Sequence, residues 1–425
     1  MELLIKNVRR VTCGGEELCS IGIDGGKVCA LLLADTDVVA DHVIDGTGKY
    51  LFPGFIDLHV HFRDPGFEYK EDIISGSKCA ASGGVTSVFC MPNTKPVCDS
   101  PEIIELILKK AENADCRVFP VAAITKGLAS GEVNDIAELS SVGAAAFSDD
   151  GKPVMTSAML REAMKIAVEN DLLIMSHCEE MTLAGGAMNE GETSRRLGLR
   201  GTPNICEDIA TMRDIAVAED TGCRLHICHV STRGSLEAIR AAKKRGVRVT
   251  CETCPHYFTM TDEDVPNFGA NAKMNPPLRS ADDRDAVIEA IKDGTIDCIS
   301  TDHAPHSEEE KAVGLEKAPN GIIGLQTSFA ASYTALVESG IISLSRLYEL
   351  MSFSPAKITK LCDKGLGRLD IGSPADMTLV TLGTSDTFTN EMLAGKSSNT
   401  PYIGKTFSAR VDMTFVGGKV KFERK

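Results

Sequence analysis

The sequence lacks the features that mark membrane proteins and nucleic-acid-binding proteins. It contains no uninterrupted apolar run near the ~18 residues of a membrane span, and the stretch from Met1 to Arg10 carries charge where a signal peptide is apolar. It also contains no dense Lys/Arg tract to offset a net charge of -15 at pH 7, which disfavours nucleic acids and anionic membranes as partners. These absences predict a soluble, cytoplasmic protein.

The sequence also lacks the regular cysteine spacing of a small disulfide-stapled domain. Its 15 cysteines are odd in number and spread along 425 residues, which is typical of reduced thiols in the cytosol. The Cys251-x-x-Cys254 pair ends a predicted strand without thioredoxin-like surroundings, so we do not interpret it as a redox motif. The length suits an α/β barrel of roughly 250 residues with an accessory domain.

From Gly54 onward, apolar runs alternate with amphipathic stretches, which is the pattern of βα units around a parallel sheet. Eight apolar runs are present, at residues 55–61, 86–91, 117–124, 144–147, 172–176, 224–230, 248–251 and 297–301. The helical segments between them include 101–113, 157–170, 235–245 and 283–292. Eight such units predict an α/β protein built as a (β/α)8 TIM barrel, whose active site lies at the carboxyl ends of the strands.

Both ends of the chain show short apolar runs broken by turn signals such as Asp24-Gly25-Gly26 and Gly417-Gly418. The ends flank the barrel, and each is short for an independent domain, so we expect them to pair. The predicted division is a composite β-sandwich domain, residues 1–52 and 365–425, and a catalytic barrel, residues 53–364.

Seven of the nine histidines lie at or just beyond the end of a predicted strand. His59 and His61 are two residues apart on one strand, so their side chains point to the same face and can grip one metal ion. Imidazole and carboxylate groups recur after the later strands, at Asp150, His177, His229, His256, Asp302, His303 and His306. This recurrence predicts a metal site at the mouth of the barrel.

Longer motifs surround these residues. They are Pro53-Gly54-Phe55-Ile56-Asp57-Leu58-His59-Val60-His61-Phe62-Arg63-Asp64-Pro65-Gly66, Met91-Pro92-Asn93-Thr94, Phe147-Ser148-Asp149-Asp150-Gly151, Ser176-His177-Cys178-Glu179, His229-Val230-Ser231-Thr232, Met274-Asn275-Pro276-Pro277-Leu278-Arg279 and Ser300-Thr301-Asp302-His303-Ala304-Pro305-His306. In combination they resemble the bacterial class I dihydroorotases of the amidohydrolase superfamily. The resemblance covers essentially the whole chain.

The resemblance implies two zinc ions per subunit. His59, His61 and Asp302 would hold the more buried ion, and His177 and His229 the more exposed one. Asp150 and a hydroxide would bridge the two ions. The implied reaction is the reversible cyclisation of N-carbamoyl-L-aspartate to L-dihydroorotate plus water in pyrimidine (UMP) biosynthesis, with Asp302 as the catalytic proton shuttle. The chemistry of the residues agrees, since metal coordination brings the pKa of bound water near ~7.

The remaining carboxylate of such a substrate needs a fixed positive group. Arg63 lies two residues beyond His61 on the same strand face, and a planar guanidinium suits a carboxylate. The alternative for Arg63 is a surface salt bridge with Asp64 or Glu68. The resemblance adds three substrate contacts, for which the alternatives are turn asparagines and a loop histidine: Asn93, Asn275 and His306.

Two other residues compete with Asp150 as the bridging group. Many relatives in the superfamily bridge with a carbamylated lysine, and Lys152 lies two residues beyond Asp150, so a lysine bridge is a minor alternative. Asp149 is the other rival, and we favour a turn role for it before Gly151. The Phe147-Ser148-Asp149-Asp150 run matches the aspartate-bridged bacterial branch.

The other histidines receive less specific predictions. We expect His42 at the surface, His226 packed in its strand, and His303 pointing away from the metal. His256 is a candidate for outer support of the site. Residues 307–319 form either a solvated loop or a mobile segment over the mouth.

Two alternatives to the implied activity remain open at this point. One is another cyclic-amide hydrolase, an allantoinase or a dihydropyrimidinase, although an uncharged substrate needs no arginine such as Arg63. The other is a non-catalytic partner protein, although such proteins usually lose ligands and none is missing here. The resemblance also implies a homodimer and an association with aspartate carbamoyltransferase.

Overall fold

The computed structural model describes all residues, 1–425. Its centre is a parallel eight-stranded sheet in which every strand pairs with its neighbour in sequence. The strands are Phe55–Val60, Val85–Cys90, Arg117–Ala122, Ala146–Phe147, Leu173–Ser176, Arg224–Ile227, Val249–Thr253 and Cys298–Ile299. The first strand also meets the chain just after the last one, because His61 N donates to His303 O at 2.8 Å and Val60 bridges His303 in parallel. The predicted (β/α)8 barrel is confirmed.

Helices surround the barrel between its strands. The longer ones are Ile73–Ser82, Pro101–Ala111, Ile136–Ser141, Ser157–Glu169, Ile205–Thr221, Arg233–Lys244 and Ala281–Asp293. Short helical segments fill the remaining connections: Lys126–Leu128, Glu192–Leu197, Pro255–Thr259, Asp262–Asp264, Val265–Phe268, Gly269–Ala272 and Glu308–Lys311. After the last strand come Ser328–Ser332, Tyr333–Glu338, Leu344–Tyr348, Glu349–Phe353, Ser354–Ile358 and Leu361–Lys364, and Asn390–Met392 lies near the C-terminus.

The four helical segments that we predicted each match a helix, with ends shifted by one or two residues. Helix Ile205–Thr221 was not among them, and its buried residues explain why. Glu207, Thr211 and Asp214 are all buried on this helix beside apolar residues. The helix therefore lacks the clean apolar stripe that identifies an amphipathic helix in a sequence.

The two termini form a second, mostly antiparallel sheet of eight strands, which confirms that both ends contribute to one β unit. Its path runs Lys419–Glu423, Thr406–Val416, Met377–Thr387, Tyr50–Pro53, Leu3–Thr12, Gly15–Asp24 and Lys27–Leu33, with His42–Asp45 also paired to Leu3–Thr12. A separate two-stranded sheet joins Met188–Asn189 and Gly201–Thr202. The domain boundaries at 52/53 and 364/365 stay a prediction.

Apolar and ionic contacts join the terminal sheet to the barrel. Phe52 of the sheet packs against Phe55 of the first barrel strand and against Phe329, with ring centroids 5.5 and 5.4 Å away. Arg117 on the third barrel strand donates twice to Asp376, at 2.7 and 3.1 Å. None of the helices is long and apolar enough to cross a lipid bilayer.

Candidate active site and metal centre

A cavity of about 220 Å³ opens at the carboxyl ends of the barrel strands. Nine of the predicted site residues line it: His61, Arg63, Asn93, Asp150, His177, His229, Asn275, Asp302 and His306. His59 is fully buried (0% exposed) and is not part of the lining. The structure therefore gathers residues that are up to 247 positions apart, from His59 to His306, around one opening.

The deep end of the cluster, defined as His59, His61 and Asp302, brings three potential ligand atoms together. His61 Nε2 lies 3.0 Å from Asp302 Oδ1, and His59 Nε2 lies 3.6 Å from the same oxygen. The three ligand atoms all lie within 4.8 Å of one another. Nitrogen and oxygen donors converging in this way match the preferences of a bound divalent metal.

The mouth end of the cluster, defined as His177 and His229, connects to the deep end through Asp150. Asp150 Oδ1 lies 3.3 Å from His59 Nε2, 3.6 Å from His177 Nδ1 and 3.7 Å from His229 Nε2, and Asp150 Oδ2 lies 3.5 Å from His61 Nε2. One carboxylate thus faces four imidazoles. That position suits a group shared by two cations.

Side chains behind the histidines set which ring nitrogen faces the cluster. His59 Nδ1 donates to Glu252 Oε1 at 3.1 Å, and His61 Nδ1 donates to Asn93 Oδ1 at 2.8 Å. Each ring then turns its Nε2 toward the cluster, where that nitrogen can bind a metal ion in place of a proton. An outer partner that fixes the tautomer in this way is characteristic of metal-ligating histidines.

His177 has the opposite arrangement. Its Nε2 donates to Glu179 Oε2 at 3.1 Å, so its Nδ1 faces Asp150 and lies 2.9 Å from His229 Nε2. Two imidazole nitrogens at that distance either share a proton, with His229 Nε2 donating to His177 Nδ1, or bind a common cation.

Several buried atoms of the cluster have no hydrogen-bond partner in the protein. They include His59 Nε2, Asp150 Oδ1 and His229 Nδ1. Buried polar atoms are normally satisfied, so the unsatisfied His59 Nε2 and Asp150 Oδ1, which face each other at 3.3 Å, indicate an additional bound group. The donor set of imidazole nitrogens and carboxylate oxygens fits zinc, and it also accepts other first-row divalent ions.

The carboxylates of the cluster are ionised at neutral pH. Burial alone raises the pKa of Asp302, but the neighbouring His61 and His59 lower it more, and the resulting pKa is about 2. Burial likewise raises the pKa of Asp150, while His59 and His229 hold it well below its ordinary range. Both carboxylates are therefore available as metal ligands, and Asp302 is available as a proton acceptor.

The two rivals for the bridging position lie outside the cluster. Asp149 Oδ1 accepts the main-chain N–H groups of Ile124 (2.7 Å) and Thr125 (3.0 Å), so it fixes the end of the third strand. Lys152 is exposed and does not line the cavity. Of the three candidates, only Asp150 reaches the histidines.

Arg63 is a guanidinium without an ionic partner. Its Nε donates to Pro305 O at 3.2 Å, and its Nη2 lies 3.4 Å from His306 Nε2. The salt bridges that we considered for it do not form, because both Asp64 and Glu68 pair with Lys110. The free side of the guanidinium borders the cavity, where it can accept an anion.

The three remaining predicted contacts also reach the cavity, and two of them support the cluster. Asn93 Nδ2 donates to Asp150 Oδ2 at 3.3 Å while its oxygen accepts from His61. Asn275 Nδ2 donates to Glu179 Oε2 at 3.0 Å. His306 Nε2 donates to Asn320 O at 2.8 Å. None of the three is a free turn residue.

The other histidines lie outside the cavity lining. His226 Nε2 lies 3.2 Å from Glu252 Oε2, and its Nδ1 lies 2.8 Å from Thr250 Oγ1. His303 Nδ1 accepts from Gly324 N at 3.2 Å, so the ring points away from the cluster as predicted. His256 is buried with Nε2 unpartnered, and His42 is exposed as predicted.

Three residues of the site have positive backbone φ angles: Arg63 (60°), His229 (37°) and Asp302 (46°). Side chains other than glycine rarely adopt this region, and such strain concentrates at functional sites. Each of the three lies two or three residues beyond the end of a barrel strand. The unusual backbone turns these side chains into the mouth of the barrel.

Sequence reasoning missed the groups that support the ligands. Glu252 lies inside the seventh strand and is fully buried, and Glu179 lies two residues after His177. A carboxylate within an apolar strand was the available signal for Glu252, since a buried charge needs a partner. Asn320 and Gly321 also line the cavity, and nothing in the sequence indicated them.

Comparisons with known proteins define first the class and then the family. The fold resembles the L-hydantoinase (dihydropyrimidinase) of Arthrobacter aurescens, with a TM-score of 0.88 and 27% identity over 99% of this chain and 95% of that one. It also resembles the dihydropyrimidinase of Brevibacillus agri, with a TM-score of 0.86 and 25% identity over the same shares of the two chains. The barrel is thus of the amidohydrolase type.

Proteins of similar sequence identify the family within this class. A family model described as dihydro-orotase-like matches residues 48–235. The dihydroorotase of Trichlorobacter lovleyi is 48% identical over 99% of both chains, and that of Geobacter metallireducens is 47% identical over 100% of both. The chain belongs to the dihydroorotase family of hydrolases.

Proposed function

We propose that this protein is a dihydroorotase. It interconverts N-carbamoyl-L-aspartate and L-dihydroorotate in pyrimidine biosynthesis, with two zinc ions held by the cluster around Asp150. The observation that carries the proposal is the unpaired guanidinium of Arg63 on the wall of the same cavity as the cluster. Relatives named dihydroorotase over the whole length of the chain support it.

The ligand assignment follows the geometry of the cluster. His59, His61 and Asp302 would hold the deep ion, His177 and His229 the ion at the mouth, and Asp150 would be shared. Bound zinc supplies a water of lowered pKa and polarises the reacting carbonyl. The buried atoms without partners at His59 and Asp150 support this assignment.

Cavity residues outside the metal cluster orient the substrate. The guanidinium of Arg63 pairs with the carboxylate that does not react, which places the ring amide over the cluster. Asn275 and His306 contact the same ligand from neighbouring loops. A neutral ring would leave the Arg63 guanidinium without an ionic partner, so this site favours an acidic substrate.

Asp302 moves the proton. In ring opening, water adds to the amide carbonyl of L-dihydroorotate, and Asp302 takes a proton from that water and gives it to the leaving ring nitrogen. In ring closure the steps reverse, one water leaves, and one proton is consumed as the reacting carboxylate becomes an amide. The low pKa of Asp302 keeps it in the accepting form before each cycle.

Substrate choice tests the proposal. Zinc-loaded protein should open L-dihydroorotate but not dihydrouracil or allantoin, and Arg63→Met should lower kcat/KM by about 10²-fold because one charge-assisted pair is lost. Arg161→Met, on an exposed helix, is the matched control and should match the wild type. Turnover of the neutral rings by the wild type would instead identify an allantoinase or a dihydropyrimidinase.

We further propose a cytoplasmic homodimer that associates with aspartate carbamoyltransferase. Light scattering at several concentrations tests the dimer, which predicts twice the 45.4 kDa chain mass. Co-purification with the transferase tests the association. A monomer at all concentrations would contradict the first part, and separate elution would contradict the second.

A further inference from the structure

A buried lysine joins its own segment to two loops beside the substrate cavity. Lys311 ends the short helix Glu308–Lys311 and is only 6% exposed. Its Nζ donates to the main-chain oxygens of Lys273 (3.3 Å), Pro319 (3.0 Å) and Gly321 (2.8 Å). An ammonium has three N–H donors, so these three carbonyls use all of them.

Each of the joined loops carries a residue of the cavity wall. Lys273 precedes Asn275 by two positions, and the 319–321 loop contributes Asn320 and Gly321 to the lining. The main-chain oxygen of Asn320 accepts the Nε2–H of His306 at 2.8 Å. The Lys311 ammonium thus connects the surroundings of Asn275, Asn320 and His306.

The region where Lys311 contacts Lys273 and Gly321, here called the junction, is tightly packed. Gly321 has a φ of 134°, and a Cβ atom at this position would lie 2.6 Å from the Cβ of Ala304 and 3.1 Å from His306 Nε2. Gly321 N also donates to Lys273 O at 2.9 Å. A shift of any one loop therefore displaces the other two.

Burying the Lys311 ammonium is unfavourable, because it removes a charged group from water. Burial and the neighbouring Lys273 lower the pKa of Lys311 to about 7, while Glu310 acts in the opposite direction. Lys317, six residues on, is exposed. At neutral pH Lys311 therefore lies near its titration midpoint, and the three carbonyl acceptors stabilise its charged form.

We infer that Lys311 is a positioning residue for substrate binding, because its ammonium holds the loops of Asn275, Asn320 and His306 at the spacing that the bound substrate requires. The inference rests on the proposed function and deepens it, since it assigns a role to a group that touches neither the substrate nor the metal cluster.

Two measurements on Lys311→Met test the inference, with Lys317→Met as the matched control. KM for L-dihydroorotate should rise by about ten-fold or more with a smaller change in kcat and unchanged metal content, because misplaced contacts weaken binding. Amide hydrogen exchange should accelerate in the peptides covering 271–277 and 319–323. The control should leave both quantities at wild-type values.

The outcomes separate this inference from the proposed function. Wild-type protein that does not turn over L-dihydroorotate contradicts the proposed function, and hydrogen exchange then decides the role of Lys311 alone. Unchanged exchange and a KM within about two-fold of wild type would overturn the inference. If Lys311→Met does not fold, Gly321→Ala disturbs the same junction through Ala304 and should give the same pair of changes.

Discussion

The deep end and the mouth of the proposed metal centre differ in what supports them. Behind His59 lies Glu252, which is 0% exposed and also contacts His226 and Ser300. Behind His177 lies Glu179, which is 9% exposed and shares its carboxylate with Asn275. Glu252 contacts no residue of the cavity lining, whereas Glu179 contacts two of them, His177 and Asn275.

This difference indicates that the two supporting carboxylates have different roles. Glu252 only fixes a proposed metal ligand, whereas Glu179 also contacts a predicted substrate contact. At the deep end, an enclosed carboxylate fixes a ligand and has no connection to the substrate contacts. Burial raises the pKa of Glu252, but the adjacent imidazoles of His226 and His59 hold it far below its ordinary range, so the support stays charged. At the mouth, the hydrogen bond from Asn275 to Glu179 couples the ligand His177 to a predicted substrate contact. Changes at Glu179 should therefore affect both metal binding and substrate binding, whereas changes at Glu252 should affect metal binding alone.

The largest effect is expected at Asp302, which is both a proposed ligand of the deep ion and the proposed proton acceptor. Asp302→Asn removes the proton acceptor and weakens a ligand, and kcat should fall by roughly 10²- to 10⁴-fold. Turnover at saturating L-dihydroorotate measures this loss. Metal content measured on the same sample shows how much of the loss comes from the ligand role, and near-normal turnover would remove Asp302 from the mechanism.

The next largest effect is expected at Glu252, where a substitution should weaken binding of the deep ion only. Glu252→Gln should weaken retention of the deep ion by about 10- to 100-fold, since the amide supports the His59 tautomer less well than a carboxylate. KM on fully zinc-loaded protein should not change. Competition with a chelator measures retention, and Glu237→Gln on the exposed face of helix Arg233–Lys244 is the control. A raised KM would show that the deep end is coupled to the substrate after all.

Glu179→Gln should act on both quantities at once. We expect about ten-fold weaker retention of the mouth ion together with a higher KM, because Asn275 loses its charged acceptor. Steady-state kinetics over a range of zinc concentrations separates the two effects. Glu180→Gln, whose side chain contacts Thr182 instead, is the neighbouring control. Loss of metal without any change in KM would contradict the proposed coupling between the mouth ion and substrate binding.

The smallest effect is expected at Lys152. It is exposed, so Lys152→Met should leave zinc content and kcat within about two-fold of wild type. Removing bicarbonate from the growth medium and buffers should also have no effect. Loss of metal in either experiment would support a carbamylated lysine bridge in place of Asp150.

The barrel could be predicted because its strands are short apolar runs at regular spacing, and the strand ends carried the predicted ligands. The supporting groups could not be predicted in the same way. The contact between Glu252 and His59 joins two strands that are far apart in the sequence, and Asn320 acts through its main-chain oxygen, which leaves no side-chain signal. The positive φ angles of His229 and Asp302 likewise have no signal in the sequence, since neither residue is a glycine.

Stepwise removal of metal tests the central claim most directly. Zinc-loaded protein is treated with increasing chelator, and the metal remaining per chain is measured at each step. We expect two ions to leave in separate steps, with Glu179→Gln shifting only the first step and Glu252→Gln shifting the second. A single step that both variants shift equally would contradict the account of two unlike ends.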